Sequence, residues 1–262
     1  VSTWVGSMIW QPTKWFQVSS GVIDSGASAE NFADNFFKTA TFFQQYTFAY
    51  KIAEKPGNLR LIWALNTKDG VDLEDPLNFT SVDGRPRINF RNPIRRNDSS
   101  FAFMANFDQY LFTIDPKASQ EDPQSSETSQ HHSADRVYVP TPGLGVFGRF
   151  GIGPESQNLI SLFGSFGISG VGLIPGREYD QFGFGWYYVG ISDDLSDFIN
   201  DSTLLSDALP VDGADENGLE AYYNFAITPA MQLSADVQYI FNPEFSTEKH
   251  TLILGGRLQI DF

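Results

Sequence analysis

The stretch TLILGGRLQIDF, residues 251–262, decides the fold of this chain. Leucine, isoleucine or phenylalanine occupies positions 252, 254, 258, 260 and 262, whereas the intervening positions include Arg257, Gln259 and Asp261. A repeat of two residues is typical of a β-strand whose two faces meet different environments. The stretch therefore predicts a strand with one apolar face and one hydrated face.

The same alternation recurs along the whole chain and predicts about eleven strands. It is clear over 160–168, 181–188, 219–228 and 231–241, and weaker over roughly 1–10, 14–23, 44–54, 58–66, 99–108 and 143–152. Most of these segments have about 9–12 residues, the length that a tilted strand needs to cross a bilayer. Strands of soluble sandwiches are usually shorter, at about 5–6 residues.

The connections between the predicted strands differ in length. Those at 11–13, 55–57, 174–177 and 228–230 are short, whereas 24–43, 67–98 and 193–217 are long and polar. Short turns at one end and long loops at the other indicate an antiparallel transmembrane β-barrel of the bacterial outer membrane. The alternative is a soluble, acidic β-sandwich with long strands. In the barrel, the residues that face lipid include Leu252, Leu254, Leu258, Ile260 and Phe262.

Composition excludes several other classes. The 262 residues carry a net charge of −15, which disfavours binding to nucleic acid or to an anionic membrane surface. Cysteine is absent, so disulfides and thiolate metal sites are excluded. The sequence contains no apolar run long enough for a transmembrane helix. The N-terminus lacks a signal peptide, so we expect that one was removed or that the chain starts partway through a longer protein.

Three motifs lie in the second half of the chain: GLGVFGRFG at 143–151, GLIPGREYDQFGFG at 172–185 and YYVGIS at 187–192. They resemble motifs of the carbohydrate-selective porins, the OprB-like family. The resemblance is strong over 143–262 and looser over the first 108 residues. It implies a sixteen-stranded outer-membrane barrel through which neutral sugars diffuse, without a cofactor or metal.

Eleven strands cannot close such a barrel, because single-chain bacterial barrels have an even number. We therefore expect residues 1–262 to form one barrel domain that lacks N-terminal strands; the alternative is one unrecognised strand and a closed twelve-stranded barrel. The last strand should end in the periplasm, which puts loops 193–217 and 242–248 outside. Segment 109–142 then lies on the periplasmic side, where its low-complexity composition predicts a solvated insertion.

A sugar pore needs polar side chains and aromatic faces on its inner wall. Tyr187 and Tyr222 are candidate stacking platforms for sugar rings. Basic and acidic groups nearly balance on the predicted inner face, which suits neutral solutes. Each residue could instead merely hydrate or brace the wall. The candidate pore-lining residues are Lys51, Arg60, Asn106, Asp108, Arg149, Tyr187, Glu220, Tyr222, Asn224, Asp236, Gln238, Arg257 and Gln259.

Charged residues on the last three strands suggest a further contact. Glu220, Asp236 and Arg257 share the hydrated face, so we expect them to form a cross-strand ladder of opposite charges. The basic segment from Arg85 to Arg96 could remain solvated, narrow the pore or bind the phosphates of lipopolysaccharide.

Other functions are weaker alternatives. An unspecific outer-membrane pore is the second candidate, and an enzyme acting on lipid or glycan the third. His131, His132 and His250 show no metal-ligand spacing, so an enzyme would rest on His250 as a base. Besides sugars, the expected partners are membrane lipid, lipopolysaccharide and further copies of the chain.

Overall fold

The computed structural model of the chain describes residues 5–25, 39–74, 79–82, 85–88, 91, 94–114, 141–201, 214–228, 230–243, 246 and 248–260. Its strands, in chain order, are β1 Val5–Thr13, β2 Phe16–Asp24, β3 Ala40–Ile52, β4 Lys55–Asn66, β5 Gly70–Val71, β6 Phe79–Val82, β7 Arg85–Ile88, β8 Arg96–Asn97, β9 Ser100–Thr113, β10 Gly143–Ile152, β11 Ile160–Val171, β12 Gln181–Ile191, β13 Glu216–Thr228, β14 Met231–Phe241 and β15 His250–Ile260. A helix, α1, spans Asp193–Asp201.

One antiparallel sheet contains eleven of these strands, in the order β1-β2-β3-β4-β9-β10-β11-β12-β13-β14-β15. Strands β5 to β8 form two small two-stranded sheets within the connection from β4 to β9. The predicted number of strands is therefore confirmed. Within the described residues, β1 and β15 are the two end strands of an open sheet, so these residues do not form the closed twelve-stranded barrel that we considered.

The two ends of the sheet carry different connections. Residues 25–39, 67–99 and 192–215 all emerge at one end, which we call the long-loop end. The opposite, short-turn end carries the tight turns and also the segment between β9 and β10. Strand β9 includes residues 109–113 of the predicted insertion. The larger part, 115–140 with His131 and His132, lies outside the described residues, as does Phe262.

Two tight turns lie next to the predicted positions rather than at them. Strand β1 continues through 11–13, and the turn is formed by Lys14 and Trp15. Similarly, β4 begins at Lys55, because Ala53 and Glu54 form the turn with φ angles of 49° and 63°. Positive φ at both central residues is typical of a type I′ hairpin. The sequence Asn-Gly usually predicts this turn, whereas Ala-Glu does not. The Pro-Gly pair that follows therefore suggests the wrong position for the turn.

The outer face of the sheet is apolar and exposed. On β15, Leu252, Leu254 and Leu258 are 60%, 74% and 57% exposed. The same face carries large exposed side chains on the other strands of the sheet, including Trp10, Phe42, Trp63, Phe101, Phe150, Phe166, Phe184, Phe225 and Val237. An apolar surface this extensive is rare on soluble monomers and is typical of the lipid-facing side of a barrel wall.

The sheet has no second sheet packed against it within the described residues, and few of its side chains are buried. The buried cluster of apolar residues comprises Leu73, Val189, Ile191 and Leu195, all at the long-loop end. A β-sandwich would instead bury alternate residues of two facing sheets along their whole length. The described part of the chain contains no helix with the length and apolar character needed to span a bilayer.

A buried carboxylate fixes the connection between β11 and β12. Asp180 is 4% exposed and accepts hydrogen bonds from Arg177 Nε at 2.9 Å and Arg177 Nη2 at 2.8 Å. It also accepts hydrogen bonds from the Tyr223 hydroxyl and, at 2.9 Å, from the Ala226 backbone N–H. The Arg177 guanidinium lies 3.6 Å from the ring centroid of Phe225. This Asp180 clamp ties the turn to β13, and it explains the Arg and Asp of the GLIPGREYD segment.

The clamp also sets the charge of Asp180. Burial raises the pKa of this carboxyl, but hydrogen bonds from Tyr223, Arg177 and Ala226 and the charge of Arg177 outweigh burial, and its pKa is lowered. A carboxyl with a lowered pKa in the folded state stabilises the fold above its unfolded pKa, and this contribution is lost as pH falls through the folded-state pKa.

We predict that Leu254→Arg destabilises the folded protein in bilayers by about 2–4 kcal/mol, because it places a charge on the lipid-facing side. Ile253→Arg is the matched control, since Ile253 is the neighbouring residue on the opposite face. Unfolding by guanidinium in lipid vesicles measures both changes. Equal tolerance of the two variants would contradict the assignment of faces.

We predict that Asp180→Asn lowers the free energy of unfolding at neutral pH by about 1–3 kcal/mol, because it weakens a buried charged network. The difference from the unmodified protein should shrink as pH falls below about 4, the ordinary pKa of an unfolded aspartate, and continue to shrink through the lower folded-state pKa of Asp180. Urea titrations monitored by tryptophan fluorescence, at neutral pH and below about pH 4, measure the free energy of unfolding of both proteins. Glu178→Gln, at an exposed position of the same turn, should change neither value; a pH-independent effect of Asp180→Asn would argue against the clamp.

Candidate functional site

The thirteen candidate residues lie on one face of the sheet, opposite the apolar face. Residues that pair across antiparallel strands point to the same side. Arg149 pairs with Asn106 and Ser165, and Asn106 pairs with Arg60. Following the register across all strands gives this inner face as the side that holds Lys51, Arg60, Asn106, Asp108, Arg149, Tyr187, Glu220, Tyr222, Asn224, Asp236, Gln238, Arg257 and Gln259. That these side chains line a pore stays a prediction.

An ion pair crosses β4 and β9 on the inner face. Arg60 Nη1 lies 3.0 Å from Asp108 Oδ1, and Asn58 Nδ2 donates to Asp108 Oδ2 at 2.8 Å. Both charged side chains remain more than one third exposed, so the pair is hydrated. They border an open recess of about 570 Å³ that Asn106 and the exposed Arg149 also line. This part of the inner face therefore presents charges of both signs to solvent.

A second recess, of about 530 Å³, lies over β13, β14 and β15. It contains Glu220, Tyr222, Asn224, Asp236 and Arg257. The Asn224 amide forms a polar network here, since its Nδ2 donates to Gln232 Oε1 at 2.8 Å and its Oδ1 accepts from Ser234 Oγ at 3.1 Å. The recess is lined with hydrogen-bonding groups on neighbouring strands.

The expected ladder of opposite charges does not form among the described residues. Glu220 and Asp236 contact each other, and Gln238 Nε2 donates to Asp236 Oδ1 at 3.2 Å. Within the described residues, Arg257 forms no ion pair with either carboxylate, so the prediction of a charge ladder is wrong. The register explains this, because Arg257 is opposite Ser234 and only diagonal to Asp236, a longer separation than that of a direct pair.

The two predicted aromatic platforms are held in place by their hydroxyl groups. Tyr187 donates to Glu216 Oε1 at 2.8 Å. The Tyr222 hydroxyl is 3.3 Å from Ser169 Oγ on β11. Each tyrosine is thus fixed at its polar end on the inner face, and the orientation of its ring is determined by the surrounding strands.

Two loops fold onto the inner face at the long-loop end. Leu73, from the connection after β4, and Leu195, from α1, pack against Val189 and Ile191 of β12. Phe163 and Tyr187 pack against the same group. The register places the four strand residues on the inner face. We call these six residues the mouth cluster, because they cover the inner face where the sheet meets the long loops.

Polar contacts fix the loops of the mouth cluster. The Leu73 N–H and the Asn97 side chain both donate to the Ser156 carbonyl at 3.0 Å. The fully buried Ser192 donates from Oγ to the Glu155 carbonyl at 2.8 Å and accepts from the Leu195 N–H at 3.3 Å, which caps α1. Segments from three connections are thereby joined above the inner face.

Sequence reasoning missed this cluster because it considered 67–98 and 193–217 only as polar loops. Two signals were present. The apolar Val189 and Ile191 fall on the inner face, where polar residues were expected. Leu195 follows a serine and two aspartates, the pattern of a helix N-terminus.

Two further predicted features can be placed. His250 stacks on Tyr239 with ring centroids 6.0 Å apart and contacts Phe241 edge-on. Among the described residues, no three His, Asp or Glu side chains are grouped to hold a metal ion. The basic segment belongs to the long connection at the long-loop end, where β7 and β8 contain Arg85, Arg87 and Arg96. Its binding of lipopolysaccharide stays a prediction.

Comparison with known proteins identifies relatives in one family. The family model for the carbohydrate-selective porins, OprB family, matches residues 1–262. None of the curated proteins compared with the chain matches it.

Two solved structures have a fold similar to that of this chain. A high-pH structure of OprB from Pseudomonas putida superposes with a TM-score of 0.73 at 20% sequence identity, covering 99% of this chain and 59% of that one. A low-pH structure of OprB from the same organism gives a TM-score of 0.56 at 15% identity, with coverage of 99% and 55%. This chain thus spans less than two thirds of the length of these relatives.

We predict that Leu195→Ala releases α1 from the inner face, because it removes the helix's contribution to the mouth cluster. Backbone amides near 193–197 should exchange with solvent faster, as expected for a loss of about 2–3 kcal/mol of local stability. Hydrogen exchange followed by mass spectrometry measures this. Asp197→Ala, on the exposed side of α1, is the control; unchanged protection in Leu195→Ala would show that the loop is held by other contacts.

Proposed function

Because the chain belongs to the carbohydrate-selective porin family, we propose that its inner face lines a bacterial outer-membrane pore for the passive diffusion of small neutral sugars. The observation that carries the proposal is the register of the sheet. It separates an apolar outer face from an inner face rich in hydrogen-bonding groups. A wall of this kind suits lipid on one side and water on the other.

The charges of the inner face favour neutral solutes. Arg60 and Asp108 neutralise each other at 3.0 Å, and Arg257 shares its recess with Glu220 and Asp236. A pore with charges of both signs along its wall has no strong average potential for anions or cations. Its hydroxyl, amide and carboxylate groups can still exchange hydrogen bonds with the hydroxyl groups of a sugar.

The same proposal assigns an orientation in the membrane. The long-loop end faces the exterior and the short-turn end faces the periplasm, as in other bacterial barrels with short periplasmic turns. The mouth cluster then lies at the external entrance and narrows the path above the inner face. The outer face contacts lipid, and the long connection that contains the Arg85–Arg96 segment lies at the external side, where we propose that it contacts lipopolysaccharide. Self-association of the barrel remains a prediction of the sequence.

The function is tested by the swelling of liposomes that contain the intact protein. We predict that glucose enters faster than a linear polyol or an amino acid of similar mass. Selective entry is expected because the inner face offers hydrogen-bonding groups and aromatic residues on which a sugar ring can stack. A pore that separates solutes by size alone needs neither.

The outcomes separate the candidates. Uptake that follows solute size alone would indicate an unspecific diffusion pore. No uptake of any solute, in liposomes that contain correctly inserted protein, would contradict a pore altogether.

A further inference from the structure

We propose that a recess on β10 to β13 binds a single sugar ring. Its binding surface is formed by three aromatic rings, each of which lies over a glycine of the neighbouring strand. The inference rests on the proposed function and deepens it. The recess has a volume of about 280 Å³ and lies on the inner face. Ligand pockets in proteins begin at about 300 Å³, so the space suits one ring rather than a chain.

The close approach of the rings to the wall follows from the space above three glycines. A Cβ added at Gly167 would lie 2.5 Å from Phe147 Cζ, and a Cβ at Gly183 would lie 2.4 Å from Tyr222 Cε1. At Gly218, it would lie 2.6 Å from Tyr187 Cε1. These glycines leave the space that the rings occupy. Glycine within a strand often marks such a close approach.

The register brings the three rings to one place. Phe147 is opposite Gly167, Tyr222 is opposite Gly183, and Tyr187 is opposite Gly218, so each ring reaches across to the partner strand. The floor between the two tyrosines is bare at Gly185, where an added Cβ would meet nothing closer than 3.5 Å. A solute can therefore approach the backbone between two aromatic residues.

Polar groups complete the recess. Arg149, Ser165 and Glu220 line it with the rings. They supply charged and neutral hydrogen-bonding groups, whereas the rings supply apolar faces. A pyranose has both kinds of surface, with C–H groups on its faces and hydroxyl groups around its edge. A linear solute of the same composition lacks the rigid face that stacks on a ring.

The tyrosines are also restrained before a ligand arrives. Tyr187 donates to Glu216 at 2.8 Å and packs against the other residues of the mouth cluster, and Tyr222 contacts Ser169 at 3.3 Å. A ring that is already fixed loses little freedom when it binds a solute. The recess thus combines aromatic rings close to the wall, an open floor and polar edges in one prearranged surface.

The test uses the intact protein in planar bilayers, with glucose titrated against the ion current. We expect Tyr222→Leu and Tyr187→Leu to raise the half-saturating glucose concentration about five- to tenfold, since each removes one stacking face. Tyr222→Phe and Tyr187→Phe keep the ring and should stay within about twofold of the unmodified protein, which separates stacking from the loss of a hydroxyl group.

Two further variants sharpen the result. Gly183→Ala keeps Tyr222 but displaces its ring from the wall, and it should weaken glucose binding as Tyr222→Leu does. Phe43→Leu is the matched control, because Phe43 also lies over a glycine, Gly21, on the inner face of β3 outside the recess. It should leave the half-saturating concentration unchanged.

The readouts distinguish failure of the site from failure of the function. If both leucine variants conduct ions normally and have the same half-saturating glucose concentration as the unmodified protein, the proposed sugar site is wrong and the pore function stands. Absence of conductance in the unmodified protein would overturn both. Conductance in each variant before sugar is added verifies its folding.

Discussion

Every other feature of this structure depends on the pairing of backbone groups between neighbouring antiparallel strands. A backbone N–H or C=O without a partner is costly in hydrocarbon, so a chain that crosses a bilayer as strands must pair them along its length. The hydrogen-bond ladder that satisfies these groups also places every second side chain on the same face, because successive side chains point to opposite sides. A slip of one residue would turn Leu254 inward and Arg257 outward, and the apolar face therefore holds the register in place.

The fixed register then determines what the inner face can do. It aligns polar side chains from sequence-distant strands, such as Arg60, Asn106 and Arg149, into one continuous row. It also aligns glycines with aromatic residues, so that rings lie along the wall instead of filling the space above it. Within the described residues, the inner face stays open along the strands and is covered by the mouth cluster at the long-loop end. Stability and an open interior are compatible because the apolar contacts of the sheet face outward.

Sequence periodicity predicted the strands, their number and the face of each candidate residue, because all three follow from the repeat of two. The turns were less predictable. Pro56 and Gly57 resemble a turn, yet they lie in β4, since the hairpin is closed by the left-handed Ala53 and Glu54. The predicted ion pair of Arg257 was wrong because residues that share a face of the sheet are not all in contact, and a diagonal pair is farther apart than a direct one. The mouth cluster was missed because Leu73 and Leu195 meet only after two long connections have folded over the sheet.

This arrangement requires that the inner face meets water and the outer face meets lipid. Residues 1–262 contain no cysteine, so single cysteines introduced into them are labelled without background from this part of the protein. The most direct measurement is the labelling of Asp236→Cys, Val237→Cys, Gln238→Cys and Leu233→Cys by a charged thiol reagent in the intact, membrane-inserted protein. We expect rapid labelling at 236 and 238 and protection at 233 and 237. Equal labelling at all four positions, or protection at 236 and 238, would contradict this arrangement.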